Sequence, residues 1–164
     1  MVWARSKITI QDDLFRPRPR VTLHYTGPNP EKFYYDFPNI IATIFRISHE
    51  NIQERNFKWE KGDPLKFSVK WEMFSDIDKY SHFYVLVSLD GTSSKGFGTA
   101  TATLEAYLRT EYPQDTVWHR SIVYEFVRMF WHSSFYAARR EHLLIEGRRL
   151  AGLMLEEVKR LMHM

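Results

Sequence analysis

Two periods divide this chain. Up to about residue 113, most apolar positions alternate with polar ones, whereas from residue 116 to 164 they recur at helical spacing. The alternation is clean in 20–26, where Val21, Leu23 and Tyr25 oppose Thr22, His24 and Thr26. It is cleanest in 65–74, with Leu65, Phe67, Val69, Trp71 and Met73 on one face and Lys66, Ser68, Lys70 and Glu72 on the other. Further strands are predicted at 6–15, 51–60, 80–89 and 97–111. Residues 80–89 carry apolar side chains on both faces, as a central strand does. The alanines Ala100, Ala102 and Ala106 leave room on one face of 97–111 for a helix to pack closely.

Turn chemistry marks the joints. Arg16-Pro17-Arg18-Pro19-Arg20 reads as an extended connector, and Lys61-Gly62-Asp63-Pro64 as a turn. Residues 90–96 (DGTSSKG) read as a long hairpin loop, able to act as a flexible lid. Asn29-Pro30-Glu31 opens a helical stretch to about Ile47, with Asn29 as the capping residue. Pro38 divides that stretch into two short helices or kinks it. Its apolar face is Phe33, Phe37, Ile40, Ile41, Ile44 and Phe45.

Beyond Pro113, Asp115 or Thr116 serves as N-cap. Trp118, Ile122, Phe126, Met129, Phe130, Tyr136, Leu143, Ala151, Met154, Val158 and Leu161 then follow one broad stripe. A straight helix of about 47 residues would be about 70 Å long. A compact domain of this size has a radius of gyration of only about 15 Å. The segment is therefore predicted to bend, break or project, at Ser133-Ser134 or between Arg139 and Gly147. The first half is sized to lie across the sheet. The apolar residues of the second half, including Leu143, Leu150, Leu153 and Leu155, exceed that need and predict a homodimer interface or a fold-back.

These elements predict one α+β domain over 1–164, a curved antiparallel sheet wrapped around a long C-terminal helix. Their order resembles the helix-grip fold of the START and polyketide-cyclase-like superfamily, and 20–26, 31–47, the strands of 51–111 and the helix from 116 carry the resemblance. It implies an apolar cavity between sheet and last helix, and a hydrophobic small molecule, lipid or polyketide-like ligand.

Composition sharpens this in one respect. Aromatic residues make up 16% of the chain, and they fill a thick core or line an apolar cavity. The residues placed to line such a cavity are Trp71, Tyr84, Phe126, Phe130 and Tyr136, with Tyr34 and Trp59 near its mouth. With no cysteine, disulfides, thiolate metal sites and a cysteine nucleophile are excluded. Seven histidines form no HxH, HExxH or HxxxH pair, so no metal site is readable, and no cofactor motif is present.

Glu125, Arg128, His132 and Arg139 share a helical stripe that offers an acid, a guanidinium and an imidazole if it faces a cavity, and an ordinary solvated face otherwise. A formal net charge of +3 is mild. Arg16, Arg18 and Arg20 with Arg139, Arg140, Arg148 and Arg149 are the basic residues a nucleic acid would use, but interleaved acids argue against that partner. No window has the apolar length of a membrane span, and a cytoplasmic location is the default expectation.

Overall fold

The computed structural model describes residues 6–114 and 121–163. The chain is α+β, with an open, curved antiparallel sheet of six strands and its helices packed on one face. The strands are β1 (Ser6–Asp13), β2 (Arg20–Pro28), β3 (Ile52–Glu60), β4 (Leu65–Asp76), β5 (Ser81–Ser94) and β6 (Phe97–Gln114). Their order is β1-β6-β5-β4-β3, with β2 also paired to β6.

β1 and β2 lie end to end along one edge of β6. β1 pairs with Tyr107–Gln114 and β2 with Phe97–Glu105. Between them Leu14 N–H still donates to Ala106 O at 2.9 Å, the chain then leaves the edge of β6 until Arg20, and Leu14 and Phe15 enter the core. The Arg-Pro repeat is this excursion.

One face of the sheet is apolar across β2, β4, β5 and most of β6. Val69, Leu89, Ala102 and Leu23 share one cross-strand row, and Trp71, Val87 and Leu104 the next. This face meets α1 (Phe33–Phe45) and α3 (Ala137–Leu161). α1 contributes Phe33, Phe37, Ile41 and Phe45 at i,i+4 spacing, and α3 contributes Leu143, Gly147, Ala151, Met154 and Val158, all buried. The small residues Ala100, Ala102, Ala106, Gly147 and Ala151 bring helix and strand close. A Cβ on Gly147 would lie 2.6 Å from the Phe83 ring and 2.8 Å from Leu14.

Several local expectations are revised. A single 3₁₀ turn (Pro30–Lys32) leads into one α-helix that passes through Pro38. Losing the bond that an N–H at 38 would give to Tyr34 costs less than giving up the buried phenylalanine and isoleucine stripe. Asn29 makes no side-chain cap; it adopts a left-handed conformation, and its N–H donates to Gly96 O at 2.8 Å. The loop expected at 90–96 is mostly strand. β5 runs to Ser94, and only Lys95 and Gly96 turn, both at positive φ (50° and 78°), the twist that suits a two-residue hairpin. A lid is thereby ruled out there.

The C-terminal segment shows the largest revision. α2 (Ile122–Trp131) passes through a single π-helical stretch (His132–Tyr136) into α3. The interruption of α geometry thus falls at Ser133-Ser134. The half that covers the sheet is α3, whose exposed large apolar residues are Ile145 and Leu153, while α2 has no buried residue. The expected N-caps Asp115 and Thr116, and Trp118, lie outside the described residues. α2 is capped by Ser121, whose Oγ accepts the Tyr124 N–H at 3.1 Å.

Candidate functional site

The seven aromatics singled out from the sequence do not line one cavity. Trp71 is buried on the helix-covered face of β4. Tyr84 points to the other face of the sheet, beside Phe74 and Tyr107, with the Arg109 guanidinium 3.8 Å over its ring. Phe126 and Phe130 point to solvent from α2. Tyr136 is buried, but in a polar setting. Only Tyr34, Trp59 and Trp71 meet, with Tyr34 5.7 Å from each indole.

That meeting depends on an irregularity in β3. Arg55 pairs with Lys70 and Lys58 with Ser68, so Asn56 and Phe57 together stand opposite Val69. Asn56 takes φ 52°, a left-handed conformation that asparagine tolerates. An inserted residue reverses the alternation of a strand. Before the bulge, the even positions Ile52 and Glu54 stand opposite Met73 and Trp71 of the core face; after it, Trp59 stands opposite Phe67. Phe57 and Trp59 are thereby turned toward α1, stacked at 6.1 Å and 19°.

Tyr34 completes the wall, 5.6 Å from Phe57 and 4.9 Å from Tyr35. Its hydroxyl donates to Glu54 Oε2 at 2.8 Å. Burial, then the Glu54 carboxylate, pushes its pKa up to about 12, so the ring stays neutral and the bond stays made. Tyr34, Tyr35, Phe57, Trp59 and Lys61 line an open groove of about 440 Å³, and among the described residues that line it Lys61 is the only charged one. The bulge is what sequence reading missed; the signal for it is the loss of alternation at Asn56-Phe57.

A second cluster sits where the π stretch meets the sheet. Tyr136 Oη lies 2.6 Å from Ser81 Oγ and donates to Asp78 (3.0 and 3.1 Å), and Ser81 Oγ lies 2.7 Å from Thr110 Oγ1. Arg140 donates to Thr110 and pairs with Asp12 at 2.5 Å, while Arg139 pairs with Asp78 at 3.1 Å. Burial would raise the Asp78 pKa, but N–H donors from Tyr80 and Ser81, the Arg139 guanidinium and the Tyr136 hydroxyl together hold it below the usual carboxylate range. Of the predicted stripe, Glu125, Arg128 and His132 face the sheet here, whereas Arg139 is exposed. Arg128 pairs with Glu125 at 2.5 Å and lies 5.3 Å over the Tyr112 ring, and His132 Nδ1 is 2.7 Å from the Tyr112 hydroxyl. Burial, then Arg140 and Arg128, lowers the His132 pKa. A small groove of about 210 Å³ adjoins, lined by Tyr80, Tyr112, Tyr124, Val127, Arg128 and Trp131.

Of the predicted basic surface, Arg20 is paired to Glu105 at 2.7 Å, and Arg139 and Arg140 are engaged as above. Among the described residues no group of three or more His, Asp or Glu side chains could hold a metal ion, and no helix is long and apolar enough to cross a membrane. No protein-family model and no curated protein matches the chain.

Proposed function

We propose that this protein binds a small, flat hydrophobic molecule, and that its site is the groove of Tyr34, Tyr35, Phe57, Trp59 and Lys61. The observation that carries this reading is the β3 bulge. A strand in plain alternation would send Trp59 away from α1; instead one inserted residue gathers Phe57 and Trp59 against Tyr34. The volume falls within the range of small-molecule sites, about 300–1,000 Å³. Stacked rings favour a planar ligand, and Lys61 suits one bearing a negative charge. Pairing of the first strands with the last, and a meander between, support kinship with the helix-grip superfamily, whose ligands are hydrophobic. The site proposed here lies between α1 and the β3 edge.

Isothermal titration with 2-naphthoate tests it. Saturable binding is expected, weakened about tenfold or more by Phe57→Ala, and weakened by Lys61→Gln for the naphthoate but not for neutral 2-naphthol. Phe57 and Lys61 are exposed, so neither change disturbs the core. Absence of saturable heat with both compounds would refute the assignment.

A further inference from the structure

The apolar face of α2 is turned the wrong way for a solitary protein. Ile122, Val123, Phe126, Val127, Met129 and Phe130 are each 58–76% exposed, and Phe135 is 67% exposed. At about 100° per residue, the first six span about 160° of the helix surface. That is the width of a core-facing stripe. Its polar side, Glu125, Arg128 and His132, is the side held against the sheet, with Trp131 stacked on Tyr136 at 5.2 Å and 5.6 Å from Tyr80.

The π stretch explains this inversion. In one unbroken α-helix, Ile122, Phe126 and Met129 fall in phase with Leu143, Gly147, Ala151, Met154 and Val158, and would face the sheet. A π stretch accommodates one extra residue, which turns everything before it by about 100°. Advancing α2 by one position brings Tyr124, Glu125, Arg128 and Trp131 into the inward phase, where three of them line the groove beside Tyr80 and Tyr112. The apolar arc moves outward by the same turn. The single π insertion at His132–Tyr136 therefore sets which side of α2 meets water.

We propose that this outward face is a homodimer interface, in which α2 of one protomer packs antiparallel on α2 of a second copy about a two-fold axis near Phe126. Side chains of this kind carry on the order of 150–250 Å² each when aromatic. The seven exposed ones thus offer about 800 Å² per protomer, the area a stable standard interface buries on each side. The face suits its own copy. Its acid and its guanidinium are spent inward, so no like charges meet across a two-fold axis. Phe126, Phe130, Phe135 and Met129 are the residue types that anchor interface centres. Phe130 and Phe135 already meet edge to face at 6.4 Å and form one end of the patch. A helix lying on a lipid surface would keep a basic flank free toward the headgroups; here Arg128 is packed on Tyr112.

Sedimentation velocity of the full chain, from about 1 to 100 μM, tests the proposal. A dimer of the 19.7 kDa chain is expected. Phe126→Asp and Phe130→Asp should each raise the dissociation constant at least about 100-fold while leaving the circular dichroism and thermal transition of the monomer unchanged. Deletion of Ser133 removes the inserted residue without touching the apolar arc, and is expected to return the segment to α geometry and abolish the dimer.

Because the chain has no cysteine, Phe126→Cys gives a direct geometric readout. With copper–phenanthroline as oxidant, two Phe126→Cys protomers should cross-link across the axis. Ile145→Cys, exposed on α3, should not. A wild-type monomer at 100 μM, a dimer indifferent to Phe126→Asp and Phe130→Asp, or binding to anionic phospholipid vesicles without self-association would each overturn it.

Discussion

Gly147 offers the sharpest test of how α3 sits on the sheet, because the same helix carries its own control. Gly147 and Gly152 both lie inside α3. Replacing an interior helical glycine by alanine favours the helix by about 1 kcal/mol. At Gly152 a new Cβ meets nothing within 4 Å. Gly152→Ala is therefore expected to stabilise by about 1 kcal/mol, or raise Tm by about 2–4 °C in a chain of this length.

At Gly147 the same methyl would stand 2.6 Å from Phe83 Cε1 and 2.8 Å from Leu14 Cδ2. Both neighbours are buried, and Phe83 is wedged against Phe45 at 5.7 Å. Overpacking of this kind costs about 1–3 kcal/mol, so the helix gain is cancelled or exceeded. The net expectation for Gly147→Ala is a change between about 0 and −2 kcal/mol, leaving it about 1–3 kcal/mol below Gly152→Ala. Urea unfolding at matched m-values reads the gap directly. A Gly147→Ala protein as stabilised as Gly152→Ala would mean that α3 does not rest on β5 and Leu14 through this face. The assignment of α3, rather than α2, to the core would fail with it.

Two further predictions concern the junction between the helix and the sheet. The lowered His132 pKa means that the unfolded chain binds its proton more readily, so this residue's contribution to stability declines as pH falls below about 6.5 and through the lowered native value. The urea midpoint should accordingly drop less between pH 7 and pH 5 in His132→Gln than in the wild type; identical pH slopes would remove His132 from the account. Tyr136→Phe strips a hydroxyl that serves Ser81 and Asp78. It should cost about 1–3 kcal/mol in urea unfolding, the range for leaving buried polar partners unmet, and an unchanged midpoint would mean that water replaces the bond at no cost.

The sheet was legible because its strands obey a period of two under a strong burial contrast; 65–74 and 20–26 are strands for the reason their residues suggest. What escaped is what breaks a period by one. At Asn56 an inserted residue reversed the facing of Phe57 and Trp59, and at His132–Tyr136 another turned α2 by about 100°. On α2 the apolar residues were identified and their direction was not; on β3 Trp59 was placed near Tyr34 but Phe57 was not singled out, since a phase shift leaves composition and spacing on either side intact. The hairpin at Lys95-Gly96 was hidden differently. Lysine gives no hint of φ 50°, and the Ser/Thr content of 92–94 resembles a loop while its backbone pairs as strand.

The broken edge strand carries a consequence for how the chain reaches this state. Ser6 is opposite Gln114 and Arg20 opposite Glu105. Neither β1 nor β2 can acquire a partner until the chain has been made past residue 97. Closing such distant pairings is entropically slow, and the alanine face of β6 then still waits for α3. During synthesis from the N-terminus, α1 and the hairpins of β3 to β6 therefore precede α3, and the part of the apolar face that α3 covers is still bare. That part stays exposed until α3 emerges, and any truncation before residue 137 would leave it open.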